Sequence, residues 1–478
     1  MLLRFISFLA IATVIVGFNG SGNSHRTQYK KSIEGFLVDT LAKDLIVPWE
    51  IVFLPDGTMI FTERNGKIRL YRNKKLLLNP ALLIKEIDTT KKMGLLGVCI
   101  HPQFNKNNLL YLAYNYRKEN IPVLKIMRYQ LVSDTLVNPT TILDDIKASL
   151  NHTGCRLKFG ADGKLLITTG DADRPALAQD LKSLNGKILR VNDNGSVPAD
   201  NPFIKNDTAR KEIWTYGHRN PQGIDFQPGT NLLFDSEHGP NGGDEINIIR
   251  KGSNYGWPLA HHRDVKEGML SPLLEYTPSI APSQILFYTG KAFPSLKGSL
   301  LVACLRGESI IRLEIKGSEV ISEEILLKHT YGRIRALSLG PDGYIYFSTS
   351  QNDPPEGTPR SGYDMILCLK PSSAGSGSGS AAGMQRKVNV TESPVNKSPA
   401  VSFAQLCASC HGNNLEGTGK GKSLVDDKWE YGSGRKNIIK NIREGVIEKG
   451  MPAWEGSLTS REIESIADFV IKKSKKKN

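Results

Sequence analysis

Asp162-Gly163-Lys164-Leu165-Leu166-Ile167 is the stretch that decides the fold, because five relatives of it recur along the chain. Each is a Gly or Asn turn followed by alternating apolar residues. The others are Asp56-Gly57-Thr58-Met59-Ile60-Phe61, Asn107-Asn108-Leu109-Leu110-Tyr111-Leu112, Gly229-Thr230-Asn231-Leu232-Leu233-Phe234, Lys297-Gly298-Ser299-Leu300-Leu301-Val302 and Asp342-Gly343-Tyr344-Ile345-Tyr346-Phe347. Asp-Gly and Asn-Asn turns between such runs are hairpin signals. Counted from Thr58, Leu109, Lys164, Asn231, Ser299 and Tyr344, successive copies stand 51, 55, 67, 68 and 45 residues apart. A repeat of about 50 residues holds about four short strands, which is one propeller blade. Six copies spread over 33–370 predict an all-β six-bladed β-propeller rather than a pair of packed sheets.

Beyond that unit the composition shifts. Pro371-Ser372-Ser373-Ala374-Gly375-Ser376-Gly377-Ser378-Gly379-Ser380 opens a stretch rich in Ser, Pro, Asn and Val that runs to Pro399, predicting a flexible linker over 371–399. As a coil, a segment of that length reaches about 30 Å. Residues 400–478 read as a small all-α domain. Asn437 to Ile442 has helical spacing, and Thr459 with Glu462 forms a capping box flanked by Leu458 and Ile463 as a hydrophobic staple. Ile463, Ile466, Ala467, Val470 and Ile471 then make one apolar stripe.

The same domain carries Cys407-Ala408-Ser409-Cys410-His411, the C-x-x-C-H signature of covalent haem attachment. The thiols of Cys407 and Cys410 add to the haem vinyl groups, and His411 becomes an axial ligand of the iron. A zinc site would need further Cys or His, and residues 412–478 hold neither. Met451, the only Met after residue 400, stands between a Gly and a Pro and is assigned as the second axial ligand. A thioether in that position raises the potential and suits electron acceptance. The domain resembles small bacterial class I cytochromes c.

The N-terminus reads as an address. Arg4 precedes a 12-residue, mostly apolar run from Phe5 to Val16, followed by small residues, which predicts a secretory signal peptide over 1–22 and export, as to a periplasm. An uncleaved anchor is the alternative, since no A-x-A site follows. No later segment is apolar enough to span a membrane. The full chain has 478 residues with 62 Lys and Arg against 48 Asp and Glu, a net charge of +14. No finger or RNA-binding signature accompanies that charge, so nucleic acid is not expected as a partner. Cys99, Cys155, Cys304 and Cys368 lie in or beside apolar strands and read as buried free thiols rather than disulfides.

Within the propeller, several stretches carry polar groups that strand alternation does not call for. Asn151-His152-Thr153-Gly154-Cys155-Arg156 puts a His before a strand. Tyr216 to Gly223 crowds polar side chains into a loop, and Glu237 to Glu245 is a Gly-rich acidic turn. Arg333-Ile334-Arg335 places two guanidiniums on one strand face, which suits a ligand with several carboxylates. With Pro48-Trp49, Gly94 to Gly97, His101-Pro102, Gly170-Asp171, Asn185 to Arg190, Asn254-Tyr255-Gly256-Trp257-Pro258 and Ala281-Pro282-Ser283, these segments resemble the soluble quinoprotein glucose and aldose sugar dehydrogenases. The resemblance spans about 42 to 365, nearly the whole propeller.

That resemblance implies pyrroloquinoline quinone (PQQ) and calcium as cofactors and an aldose as substrate. It makes His152 the general base at the sugar C1 hydroxyl and Arg219 the group that polarises the reactive quinone oxygen. Asn220, Lys92, Arg306, Arg333 and Arg335 become cofactor-facing residues, and the backbone carbonyls of Gly239 and Pro240 become calcium ligands. Lys92 stands where the glucose enzyme has a glutamine, Asn151 where it has an aspartate beside the base, and Arg306 where it has a lysine. Thr277 occupies the place of an aromatic lid residue, and the stretch before it is short, implying a more open pocket than one strict for glucose. The expected activity is oxidation of an aldose at C1 to its lactone, with electrons passed to PQQ, then haem, then a downstream redox acceptor. A non-catalytic sugar- or partner-binding propeller carrying a haem is the alternative. A calcium-dependent lactone hydrolase fits the acidic turn but leaves the Arg pair and the haem unused.

Overall fold

The computed structural model describes residues 36–240, 242–262, 264–351, 364–372 and 386–387. In the C-terminal part it describes 399–412, 414–418, 421–425, 429–446, 449, 451, 454, 458 and 460–474. The segment expected to be a signal peptide, Thr459 of the expected capping box and most of the expected linker lie outside these residues. No helix among them is long and apolar enough to cross a membrane.

Residues 36–371 build six antiparallel sheets in a ring, each with at least four strands. The inner strands are Pro48–Phe53, Leu95–Ile100, Leu157–Phe159, Pro221–Phe226, Pro282–Phe287 and Ile334–Leu339. Each touches the next, and the sixth touches the first. The six repeats seen in the sequence are the second strands of the six blades: Met59–Glu63, Leu109–Lys118, Leu165–Thr169, Leu233–Glu237, Leu300–Cys304 and Ile345–Thr349. The turns before them form for a local reason. In three copies an Asp side chain accepts the backbone N–H two residues on, as Asp162 Oδ1 does from Lys164 at 3.0 Å, while the intervening glycine takes a positive φ, +72° at Gly163.

The core lies between blades rather than at the ring's centre. Six apolar clusters fill the six gaps: Leu95 and Leu112 pack on Ile60 and Ile68 between the first two blades, and Phe234 packs on Phe287 and Leu300 between the fourth and fifth. Between the sixth and first blades, Ala336 and Ile366 meet Met59 and Phe61. Burying each such side chain is worth about 1.5–3 kcal/mol. The last blade is completed from the other end of the unit: Phe36–Ala42 pairs with Ile366–Pro371, with Phe36 opposite Pro371. Arg386–Lys387, within the stretch expected to be an irregular linker, forms a short antiparallel pairing with Leu37 and Val38.

One charged side chain occupies the centre. Arg156 is fully buried and stacks on Trp49, with its guanidinium carbon 4.0 Å from the ring centroid. Its Nε donates to Gln222 O at 2.8 Å, its Nη1 to Trp49 O at 3.2 Å, and its Nη2 to Ser283 Oγ and Arg335 O, both at 3.4 Å. Glu50 Oε1, 3.0 Å from Nη1, supplies the counter-charge. Five of the six blades therefore meet at one guanidinium. Cys99, Cys155, Cys304 and Cys368 are buried free thiols.

The C-terminal domain is helical, with Pro399–Leu406, Ala408–His411, Arg435–Glu444 and Ser460–Ser474. The predicted stripe faces inward: Ile463, Ile466, Ala467 and Val470 are buried with Phe403, Leu415, Ile438, Ile442 and Trp454, and Ile471 is partly buried at the edge.

Candidate active site

In an antiparallel blade the start of the inner strand and the end of the second strand lie at the same end of the ring. The polar segments singled out in the sequence sit at those two kinds of position, so they converge. A cavity of about 250 Å³, partly open to solvent, lies at that end. All nine propeller residues predicted to form a site line it. Lys92 comes from the approach to the second blade, His152 from the third, Arg219 and Asn220 from the fourth, and Arg333 and Arg335 from the sixth. Gly239 and Pro240 follow the second strand of blade four, and Arg306 follows that of blade five. Thr277 is not part of the lining. Its hydroxyl accepts Gly243 N–H at 2.8 Å, behind the Gly-rich turn.

His152 is held from behind. Its Nδ1 lies 2.7 Å from Asp171 Oδ1, so an Nδ1–H donates to the carboxylate and Nε2 keeps its lone pair. Asp171 is buried, and its other oxygen accepts the Trp257 indole N–H at 2.8 Å. The His152 backbone sits in the left-handed region at φ +49°. Its carbonyl lies so close to Gly170 that a Cβ there would overlap it. Asp171 and Trp257 have no assigned role in the sequence reading. The signal available was the Gly170-Asp171 pair, an acid directly after an apolar second strand and therefore at the site's end of the ring. Asn151 Nδ2 donates to Asp173 Oδ2 at 3.2 Å, and Asp173 Oδ1 is 3.4 Å from His152 Nδ1.

The charge of the cavity is one-sided. Lys92, Arg219, Arg306, Arg333 and Arg335 line it, and no carboxylate does among the described residues. Arg219 Nη1 donates to His238 O at 3.0 Å, but its Nε is buried without a hydrogen-bond partner. Arg335 donates through Nε to Ser350 Oγ, and Arg333 to Ser350 O, each at 3.2 Å, so one short segment aims both guanidiniums. Burial, then the positive charges of Lys92, Arg219 and Arg335, push the His238 imidazole well below its ordinary range. It is therefore neutral, with Nε2 2.9 Å from Pro282 O as donor. The turn carrying Gly239 and Pro240 is folded by Asp244, whose carboxylate accepts Gly239 N–H at 2.9 Å, Ala281 N–H at 2.7 Å and the Ser279 hydroxyl at 2.7 Å.

These features fit the implied groups. Five cations with an unpaired buried guanidinium N–H suit a flat organic polyanion, and a turn whose Gly239 N–H is taken by Asp244 offers backbone carbonyls to a hard cation. In the helical domain, Cys407 and His411 belong to one turn, with His411 N–H bonded to Cys407 O at 2.9 Å. His411 Nδ1 lies 2.9 Å from Lys422 O, which fixes the proton there and leaves the Nε2 lone pair available to a metal. Burial pushes the Cys407 thiol up to about 12. Met451 pairs with Val446 through both backbone groups and packs, like Cys407, against the domain core.

Comparison with known proteins bears on both parts. Residues 45–355 match the family model described as glucose / sorbosone dehydrogenase, and residues 395–470 match that of cytochrome c oxidase, cbb3-type, subunit III. Aldose sugar dehydrogenase YliI of Escherichia coli is 35% identical over 334 residues, covering 66% of this chain and 90% of that protein. The crystal structure of the soluble aldose sugar dehydrogenase of Escherichia coli in its apo-form superposes with a TM-score of 0.65 at 34% identity, over 70% of this chain and 99% of the other. The PQQ-bound aldose sugar dehydrogenase of Streptomyces coelicolor superposes with a TM-score of 0.63 at 29% identity, over 71% and 99%.

Proposed function

The chain belongs to the glucose/sorbosone dehydrogenase family, here with a C-terminal cytochrome c domain, and on that premise we propose that it oxidises an aldose at C1 to the lactone and delivers the electrons to its own haem. The observation that carries this reading is a single cavity lined by five cationic side chains and no described carboxylate, with one imidazole whose Nε2 is free to take a proton. When bound, PQQ supplies a two-electron hydride acceptor, calcium a Lewis-acidic anchor for it, and haem a one-electron outlet.

The protein's own part is positioning and proton transfer. Arg333, Arg335, Arg306 and Lys92 hold the cofactor's carboxylates, with Asn220 beside them. Arg219 would be the donor at the reactive quinone oxygen, and its Nε–H is buried without a hydrogen-bond partner. The carbonyls of Gly239 and Pro240 hold the calcium ion. His152 Nε2 accepts the C1 hydroxyl proton as hydride departs from the same carbon. Asp171 keeps Nδ1 protonated through that step and stabilises the imidazolium that results. Cys407 and Cys410 bind the haem covalently, while His411 and Met451 ligate its iron. The tether between the domains raises the haem's local concentration at the cavity. Export through the N-terminal segment, and transfer onward to an external acceptor, belong to the same proposal.

Purified protein reconstituted with PQQ and Ca²⁺ should reduce its own haem band on addition of an aldose. A sugar-independent spectrum would favour the non-catalytic binding module instead. His152→Ala is expected to lower turnover by about 10²–10⁴-fold, the usual contribution of a general base, with the haem still attached. Unchanged turnover would remove His152 from the role.

A further inference from the structure

Behind the cavity wall, blade four holds a group of side chains that the proposed chemistry leaves unused. His218, Asp235 and Glu237 are all buried, and one ligating atom from each lies within 4.8 Å of the other two. Strand geometry brings them together. Asp235 and Glu237 are two residues apart on the second strand and so share a face, while His218 stands in the loop leading to the inner strand. His218 Nδ1 is 2.9 Å from Glu237 Oε1 and 3.6 Å from Asp235 Oδ2.

Two observations make this cluster a candidate ligand site. Asp235 is 0% exposed, yet neither of its carboxylate oxygens has a hydrogen-bond partner. On the paired strand, directly opposite, Asn247 Oδ1 is also buried without one. An unpaired acid buried beside a second acid is strongly unfavourable, and a cation between them removes the penalty. His218 can serve as a ligand. Its Nδ1 is within hydrogen-bond distance of Glu237 Oε1 and its Nε2 lies 2.9 Å from Thr215 Oγ1, so with a cation between the acids the proton sits on Nε2, donated to that hydroxyl, and Nδ1 is the ligating atom.

We propose that His218 Nδ1, Asp235 Oδ2 and Glu237 Oε1 form a structural site for a divalent ion of the zinc class. One imidazole nitrogen with carboxylate oxygens suits zinc in four-coordination, whereas calcium collects six to eight oxygens. The site is distinct from the calcium position at Gly239 and Pro240, and the inference does not rest on the quinone chemistry. Because all three side chains are buried, the ion enters as blade four assembles. It also braces the cavity, since the second oxygen of Glu237 accepts the Arg219 backbone N–H at 2.7 Å.

Metal analysis of the purified full-length holo-protein tests this. One zinc per chain is expected beyond the haem iron and any calcium, retained when native protein is dialysed against EDTA and released when it is unfolded in EDTA. Diffraction at the zinc absorption edge should give an anomalous peak among His218, Asp235 and Glu237. Asp235→Asn should lose the zinc and melt at a lower temperature with its haem attached. In a metal-free site that substitution is nearly isosteric and breaks no ion contact, so an unchanged or higher melting temperature overturns the proposal. Absence of a stoichiometric transition metal other than iron in the wild-type protein, or an anomalous peak elsewhere, overturns it as well, whether or not the variant folds.

Discussion

Asp171 joins two side chains with one carboxylate: Oδ1 accepts the His152 Nδ1–H, and Oδ2 accepts the Trp257 indole N–H. Replacing it by Asn keeps the shape but removes the charge that stabilises an imidazolium. Asp171→Asn is therefore expected to lower kcat by at least about 10²-fold with a smaller change in KM, measured as steady-state sugar oxidation by the reconstituted protein. At this scale the sequence was informative about the residues that face the cavity and silent about the one that holds the base. His152, Arg219 and the Arg333–Arg335 pair sit in segments whose polarity interrupts a strand pattern. Asp171 follows an ordinary apolar strand, and its partnership with His152 depends on a crossing of loops that no local pattern encodes.

Among the elements, the second strand of each blade was legible because it is fully or largely buried and preceded by a turn with its own chemistry. Inner and outer strands were not. Leu157–Phe159 has three residues, too few for a period, and Thr135–Lys147 runs for thirteen with three register shifts and many exposed positions. The hairpin that ends in Gly170 offers a test of how tightly such elements set the site. Gly170→Ala would push a Cβ into the His152 carbonyl, so the loop bearing the base must move. The expected outcome is a loss of about 1–3 kcal/mol in thermal unfolding together with a fall in turnover, the two read on the same sample. In the helical domain the apolar stripe of Ser460–Ser474 was readable from spacing alone. Ile466→Ala, at a position 1% exposed, should destabilise that domain by about 2–5 kcal/mol, seen as a lower melting temperature of the haem absorbance while the propeller transition stays put.

For the molecule as a whole, Arg156 is the point where the blades are joined electrostatically as well as by packing. Burial raises the Glu50 carboxyl, and the neighbouring guanidinium opposes that rise. Arg156→Met leaves Glu50 buried and uncompensated and is expected to cost about 3–5 kcal/mol in denaturant unfolding. Adding Glu50→Gln should recover a large part of the loss; if the double variant is as unstable as the single one, the ion pair is not the cause. The blade count was legible from six recurrent turns, yet ring closure was not. Phe36 and Pro371 are register partners from opposite ends of the domain, and nothing in either segment names the other.

That clasp carries a consequence for how the protein is made. A nascent chain can stack five blades as they emerge, but the sixth stays unfastened until the residues near Pro371 have left the ribosome and met a strand synthesised hundreds of codons earlier. Until that late encounter the polypeptide remains threadable, and any truncation upstream of it yields an open arc with bare edges rather than a smaller wheel.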